Sequence, residues 1–212
     1  MTKRVDSLTG LQNNEEFEQD LKAAIAKEDA VGLASLDVDH FDVVNEQFGH
    51  ETGDVVLKAI AESIKAAGVG QAYRISGDEY AILLPGASLE QAFLKMESLR
   101  AAVHANQSAY GLPADAGKEI TVTIGVAQYP RDAKEASALR RAADAALASA
   151  KESGRNLVAL PPSEDMIMKS CYYPASMIRS LKSLADKSKK KESHLLREAL
   201  GDLIRKYDRI AE

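Results

Sequence analysis

The chain alternates between segments with a helical repeat of apolar residues and short segments that are almost continuously apolar. Phe17, Leu21 and Ile25 recur every four residues behind a polar, acidic stretch, which predicts an amphipathic helix. Residues 31–36 form the kind of short apolar run that makes a buried strand. The pattern therefore predicts helices and strands that interleave along the chain.

The same two patterns continue as far as residue 160. Helical repeats follow at residues 41–48, 56–64, 89–99 and 136–153, and strand-like segments at residues 71–75, 80–84, 120–127 and 156–160. Two glycines within residues 49–54 predict a turn between the first two of these helices. This order of elements around an antiparallel hairpin predicts an α/β fold, with helices packed on a mixed sheet.

The predicted hairpin of residues 71–75 and 80–84 carries two adjacent carboxylates at its tip. Asp78 and Glu79 follow Gly77 there, between the two strands. Loops at the ends of strands commonly carry binding and catalytic groups. A solvated acidic turn is the ordinary alternative for this tripeptide, so other residues must decide between the two interpretations.

A second pair of carboxylates, Asp37 and Asp39, directly follows the buried strand. A sheet that pairs this strand with the hairpin would bring both pairs together. Mg²⁺ takes oxygen ligands and is usually held by one or two carboxylates and the phosphates of a nucleotide. Asp39 has an alternative role of equal weight, as the cap of the helix that starts near Phe41.

Two cations and two polar side chains could complete a nucleotide site. Lys151 and Arg155 are four residues apart near the end of a helix, a spacing that places both on one side and suits a triphosphate. Compensation of the helix dipole is the alternative role for this pair. Asn45 and Asp54 offer an amide and a carboxylate that could bind the N–H donors of guanine.

Charge divides the chain into two unlike parts. Residues 1–165 contain 16 Lys and Arg against 26 Asp and Glu, a net charge of −10, whereas residues 166–212 contain 11 against 6, a net charge of +5. Residues 161–165 carry two prolines and predict a linker between domains at 1–160 and 166–212.

Composition also excludes several classes of protein. The single cysteine, Cys171, allows no internal disulfide or zinc cluster. The apolar segments are too short to span a membrane, and no signal-peptide core follows the start of the chain. We therefore expect a cytoplasmic protein without a membrane partner.

Seven motifs in order resemble the GGDEF family of diguanylate cyclases over about residues 6–160. They are residues 6–13, 36–41, Asn45, 49–54, 76–80, 123–127 and 143–156. The resemblance implies a fold like the polymerase palm, with a mixed sheet and flanking helices. It also implies a reaction in which two GTP molecules become cyclic di-GMP and pyrophosphate, with Mg²⁺ or Mn²⁺ as the metal ion.

Carried over by position, the resemblance implies a role for each candidate residue. The metal ligands would be Asp37, the carbonyl of Val38, Asp78 and Glu79. Asp78 and Glu79 would also be the catalytic carboxylates that help to deprotonate the attacking 3′-hydroxyl group. The other substrate contacts would be to guanine from Asn45 and Asp54, along the phosphates from Ser76 and Gly77, and to the terminal phosphates from Lys151 and Arg155.

Three positions depart from the family's pattern. Ser76 replaces the first glycine of the signature, a small change that a phosphate-binding turn can tolerate. Asp42 stands where a lysine is usual, so we expect weaker triphosphate binding and slower or no turnover. Residues 67–70 lack the Arg-x-x-Asp sequence of members with product inhibition, so we expect no such inhibitory site.

Residues 166–212 resemble the ribbon-helix-helix family of DNA-binding proteins, a small β-α-α unit with a strand at 166–173 and two amphipathic helices. About 47 residues bury little core alone, so we expect a homodimer paired through this tail, with DNA as a further partner. The groove-facing positions would be Met168, Ser170 and Tyr172, and the phosphate contacts Lys189, Lys190 and Lys191. A solvated basic loop is the alternative for the lysines.

Two functions are therefore in competition. The first is a diguanylate cyclase dimerised, and tethered to DNA, by its tail. The second is a transcription regulator whose first domain only senses GTP or a cyclic dinucleotide. The intact carboxylates favour the first and Asp42 favours the second, while a purely structural pairing module is a third alternative.

Overall fold

The structure is a computed structural model that describes residues 4–113, 117–161, 173–188 and 192–208. The chain divides into two compact units, Met1–Ser163 and Glu164–Glu212. The first unit contains a six-stranded sheet with helices against both faces, and the described part of the second contains two helices.

The elements follow one another in the predicted alternation. The strands are β1 (Gln12–Asn13), β2 (Val31–Val38), β3 (Gln71–Ser76), β4 (Glu79–Pro85), β5 (Val122–Tyr129) and β6 (Val158–Ala159). The helices are α1 (Asn14–Lys27), α2 (Phe41–Phe48), α3 (His50–Ala67), α4 (Leu89–Ala105), α5 (Ala136–Glu152), α6 (Ala175–Ser188) and α7 (Glu192–Asp208). The predicted mixed α/β architecture with flanking helices is confirmed.

Strand β2 lies in the middle of the sheet, whose order is β1-β3-β4-β2-β5-β6. It pairs antiparallel with β4 and β5, and the predicted hairpin is formed by β3 and β4. The outer pairs, β1 with β3 and β5 with β6, are parallel. In this register Asp37 lies directly opposite Glu79, so the end of β2 reaches the tip of the hairpin.

Both faces of β2 are buried, which explains its continuously apolar sequence. Val31 and Leu33 pack in a cluster that also contains residues of α1 and α5, whereas Ala34 and Leu36 pack with residues of α3 and α4. The side chains therefore alternate between two cores, and the sheet lies between two layers of helix.

Helix α5 lies unusually close to the sheet because β5 carries a glycine beneath it. A Cβ atom at Gly125 would lie 2.2 Å from both the Ala143 carbonyl oxygen and the Leu147 backbone nitrogen. Any other residue at this position would push the helix away from the strand. The close packing brings the C-terminal end of α5, with Lys151, to the end of the sheet.

The structure corrects one prediction about the segment after β2 and excludes one of the two roles left open for Asp39. Residues 49–54 do not form a turn, since Gly49 alone separates α2 from α3 and Gly53 lies inside α3. Packing favours glycine at position 53, because a Cβ atom there would lie only 2.0 Å from Asn45 Oδ1. Asp39 does not cap α2 either. The N-cap residue is His40, in the left-handed conformation, and Asp39 accepts hydrogen bonds from threonine hydroxyl groups instead.

The tail is only partly described. The two predicted helices are present as α6 and α7, but most of the predicted strand at 166–173 and Cys171 lie outside the described residues. The same holds for the proposed DNA contacts Met168, Ser170, Tyr172, Lys189, Lys190 and Lys191. Among the helices in the described ranges, none combines the length and apolar character needed to cross a membrane.

Candidate active site

The end of β2, the start of α2, the end of α5 and the β3–β4 tip border an open cleft of ≈ 440 Å³. Its lining residues are Asp37, Val38, His40, Phe41, Asp42, Asn45, Asp78, Lys151 and Arg155. Six of them belong to the ten residues that the sequence predicts for a GTP and metal site. Residues far apart in the chain thus meet around one space.

Asp37 is the most buried carboxylate of the cleft and has a cationic partner. The Lys151 Nζ atom lies 2.7 Å from the Asp37 Oδ2 atom. Burial raises the pKa of Asp37 above its ordinary value, the hydrogen bond and charge of Lys151 oppose that shift, and repulsion from Asp78 and Asp39 adds to it. The cleft therefore concentrates negative charge that a single lysine compensates only in part.

Asp78 brings a second half-buried carboxylate to the same place. The Val38 N–H group donates to the Asp78 carbonyl oxygen at 3.4 Å, which joins the hairpin tip to the end of β2. Burial raises the pKa of Asp78, Lys151 opposes the rise, and the charges of Glu79 and Asp42 reinforce it. Like charges this close favour the binding of a cation between them.

The donor chemistry fits a hard divalent ion, because carboxylate and carbonyl oxygens are what Mg²⁺ binds. Across the residues that the structure describes, however, no three Asp, Glu, His or Cys side chains converge into a ready-made metal site. The protein groups of the cleft would thus hold such an ion together with oxygens of the substrate, as is usual for Mg²⁺ in nucleotide sites.

The other four predicted residues, Asp54, Ser76, Gly77 and Glu79, do not line this cleft. Glu79 faces a second cavity of ≈ 300 Å³ beside α5, which Lys151 also lines, and its Oε2 atom accepts a hydrogen bond of 2.7 Å from the Ser76 hydroxyl group. Gly77 forms the tip with a positive φ of 42°, which glycine adopts without strain. Asp54 is exposed on α3 next to Gly53, outside the lining of the cleft.

The hairpin tip is clamped by Arg74, a residue to which the sequence interpretation assigned no role. Its Nε and Nη2 atoms donate to the Gly77 carbonyl oxygen at 2.9 and 2.7 Å, and its Nη1 atom donates to Asp6 Oδ1 at 3.0 Å. Asp6 also accepts from the backbone N–H and hydroxyl groups of Thr9, at 2.9 and 2.7 Å. Through Arg74, the turn before β1 therefore fixes the hairpin tip, which carries Asp78.

Comparison with known proteins identifies the class. The family model described as "Diguanylate cyclase, GGDEF domain" matches residues 3–157, and the chain belongs to this family. It is 38% identical over 162 residues to the uncharacterized protein YhcK of Bacillus subtilis strain 168, covering 72% of this chain and 44% of that one. It is 34% identical over 172 residues to diguanylate cyclase DgcS of Shewanella oneidensis, covering 77% and 55%.

Solved structures agree with this assignment. The GGDEF domain of DgcB from Caulobacter crescentus, crystallised in complex with c-di-GMP, is 29% identical with a TM-score of 0.67, covering 75% of this chain and 96% of that one. The GGDEF domain of PA1120 from Pseudomonas aeruginosa is 32% identical with a TM-score of 0.66, covering 74% and 94%. The expected palm-like sheet is confirmed, and the chain spans about half the length of the curated relatives named above.

Acid should release the contact between Asp6 and Arg74. Partial burial raises the pKa of Asp6, but hydrogen bonds from Thr9 and Arg74 outweigh burial and hold it below its ordinary value. A carboxyl group with a depressed folded-state pKa stabilises the fold above its unfolded-state value and loses that contribution as the pH falls through the folded-state value. We expect Asp6→Asn to lower the free energy of unfolding near neutral pH and to lessen its fall below about pH 4.

Urea unfolding of the wild type and of Asp6→Asn at a series of pH values measures the difference in the free energy of unfolding. Asp29→Asn, which makes the same change at an exposed position, is the control and should leave the pH dependence as in the wild type. Identical pH profiles for Asp6→Asn and the wild type would contradict the assigned role.

Proposed function

We propose that residues 1–160 form a diguanylate cyclase domain, which converts two GTP molecules into cyclic di-GMP and two pyrophosphate ions. The observation that carries the proposal is the convergence of Asp37, Asn45, Asp78, Lys151 and Arg155 on one open cleft. Membership of the GGDEF family and relatives named as diguanylate cyclases support it.

The reaction asks the protein mainly to position charged groups. The 3′-oxygen of one GTP attacks the α-phosphorus of the other, the bond from that phosphorus to the bridging oxygen breaks, and pyrophosphate leaves with the electron pair. Asp78 and Glu79 are the proposed acceptors of the 3′-hydroxyl proton. Repetition of the step with the roles exchanged closes the ring.

The remaining groups hold the substrate in this proposal. Lys151 and Arg155 bind the terminal phosphates, and Ser76 and Gly77 lie along the phosphate chain. Asn45 and Asp54 bind the guanine edge. A divalent ion, Mg²⁺ or Mn²⁺, held by Asp37, the Val38 carbonyl, Asp78 and Glu79, would neutralise phosphate charge when bound.

Turnover is the direct test of the proposal. With GTP and Mg²⁺, the purified chain should produce cyclic di-GMP, and Asp78→Asn or Glu79→Gln should each reduce the rate by about 100-fold or more because a proton acceptor or charge partner is lost. Chromatographic separation of the nucleotides measures the product.

Asp132→Asn is the matched control, since the Asp132 carboxylate accepts from the Gln128 N–H group in a turn after β5, away from the cleft. A wild type that makes no product, or a double Asp78→Asn, Glu79→Gln variant that still does, would refute the proposal.

A second candidate function draws support from Asp42. This residue lines the cleft, and its charge adds to the repulsion around Asp78. A negative charge at this place opposes triphosphate binding, so a domain that only senses GTP or a cyclic dinucleotide within a ribbon-helix-helix regulator is the alternative. The first candidate predicts that GTP is converted to cyclic di-GMP at a rate that Asp42 lowers, and the second predicts binding of a nucleotide without conversion.

Replacement of Asp42 distinguishes them. If the domain is a cyclase slowed by this residue, Asp42→Lys should raise kcat/KM for GTP by about tenfold, because an attraction replaces a repulsion beside the phosphates. Asp42→Asn should give a smaller gain. Glu46→Lys, an equal charge change one turn later on α2 and outside the cleft lining, is the control. No gain over Glu46→Lys would favour the sensor.

We propose further that the tail pairs two chains, which would let two GTP-loaded domains meet. Large apolar side chains are exposed on both of its helices, including Met177 at 56%, Leu200 at 56% and Tyr207 at 58%. A unit this small buries too little apolar surface to be stable alone. Its ribbon-helix-helix identity, the linker at 161–165, binding to DNA and a cytoplasmic location stay predictions.

Charge placed on this surface should separate the chains. We expect Leu200→Asp combined with Leu203→Asp to weaken dimerisation by about 100-fold, because each substitution buries an unpaired carboxylate in the interface. Sedimentation velocity measures the change, and the rate of product formation should fall most at low protein concentration.

Leu94→Asp provides the control, since Leu94 is 64% exposed on α4 of the first unit. A monomeric wild type, or an unchanged dimer in the double variant, would contradict pairing through α6 and α7.

A further inference from the structure

The segment that follows α5 has an unusual backbone. Gly154, Arg155 and Asn156 all have positive φ angles, of 115°, 61° and 46°. Glycine adopts such angles without cost and asparagine tolerates them, but arginine rarely does. A strained residue persists only where its surroundings determine its conformation, and such residues cluster at functional sites.

Asp39 holds this segment from the end of the central strand. Its side chain is only 2% exposed. The Oδ1 atom accepts the Thr123 hydroxyl group at 2.5 Å, and the Oδ2 atom accepts the Thr121 hydroxyl group at 2.6 Å and the Asn156 N–H group at 3.1 Å. Both oxygens are therefore engaged within the protein, and one of the three bonds fixes the backbone directly after Arg155.

Other bonds complete the anchor. The Asn156 N–H group also donates to Thr123 Oγ1 at 3.0 Å, and the hydroxyl hydrogen of Thr123 is the one held by Asp39. The Asn156 Oδ1 atom accepts from Arg100 Nη1 at 2.9 Å, and the Arg155 N–H group donates to the Ala150 carbonyl oxygen at 3.2 Å, which closes the end of α5. The Arg155 residue itself is exposed and lines the cleft. The bonds made by the N–H groups of Arg155 and Asn156 fix the backbone on either side of the arginine, and the arginine is left to face the cleft.

We infer that Asp39 is a positioning residue for phosphate binding. It locks the left-handed turn at Arg155 and Asn156, so that Arg155 is presented to the cleft in a single orientation. Asp39 acts through Arg155 and does not itself touch the substrate. The consequence for GTP rests on the proposed function, whereas the consequence for the turn does not.

The rate of proteolysis measures how firmly the turn is held, and no ligand is needed. Trypsin cleaves after arginine, and the N–H group of the Arg155–Asn156 peptide bond is shared between Asp39 and the Thr123 hydroxyl group, which Asp39 orients. In Asp39→Asn, the side chain loses its charge and one acceptor. We expect cleavage of native protein at this bond to accelerate by about tenfold, as measured by mass spectrometry of the fragments, because a charge-assisted hydrogen bond is lost.

The affinity for nucleotides measures whether the loss of the Asp39 charge changes how Arg155 binds phosphate. The probes are α,β-methylene GTP, whose α–β bridge cannot be cleaved, and GMP, which lacks the terminal phosphates, each titrated calorimetrically with Mg²⁺. Asp39→Asn should weaken binding of the triphosphate analogue by about tenfold and change GMP binding less than about twofold, because only the former reaches Arg155. In an Arg155→Ala background, Asp39→Asn should have little additional effect.

Two further variants keep the test decisive. Asp132→Asn makes the same chemical change at another turn and should affect neither readout. If Asp39→Asn does not fold, Thr121→Val removes one donor to Asp39 and should move both readouts in the same direction, by a smaller factor.

The inference is overturned if cleavage at Arg155 and the ratio of the two nucleotide affinities both stay at wild-type values. Equal weakening of the triphosphate analogue and GMP would also overturn it, since that indicates a general loss of structure. If the wild type binds neither nucleotide, the proposed function fails, and the trypsin rates still decide whether Asp39 holds the turn.

Discussion

The register of the central strand is the constraint on which the candidate site depends. Strand β2 pairs with β4 so that Asp37 lies opposite Glu79, and with β5 so that Asp37 lies opposite Thr123. A slip of one residue would turn every side chain of β2 to the other face of the sheet. Burial of both faces of β2 excludes such a slip, and the position of the acidic cluster follows from the packing of the two cores.

The site must also balance the charge of its carboxylates. Asp37 and Asp78 are partly buried beside further carboxylates, and Lys151 is the cation that directly contacts one of them. Lys151 can reach Asp37 because Gly125 lets α5 lie directly on β5. A packing feature of the core thereby sets an electrostatic feature of the cleft. In the proposed function, Lys151 has phosphate as a second partner.

The hairpin tip and the turn after α5 are held in place by side chains that do not line the cleft. Arg74 ties the hairpin tip to Asp6, and Asp39 ties the turn after α5 to the start of β5. These bonds join residues separated by 68 and 117 positions in the chain. Apolar periodicity depends on residues that are close together in the sequence, so it cannot predict contacts between residues this far apart.

The pattern of amino acids was enough to predict the alternation of helices and strands from α1 to β6, the hairpin and the family, because apolar periodicity and the motif around Gly77, Asp78 and Glu79 are local properties. It misjudged residues 49–54, where Gly53 makes room for Asn45 inside a helix, and it offered a cap as one role for Asp39, which instead accepts threonine hydroxyl groups. Which polar groups meet is a property of the folded chain and could not be predicted from the local pattern. Hydrogen bonds and ion pairs depend on distances across the sheet, and these distances exist only once β2, β4 and β5 have paired and α5 has packed against them.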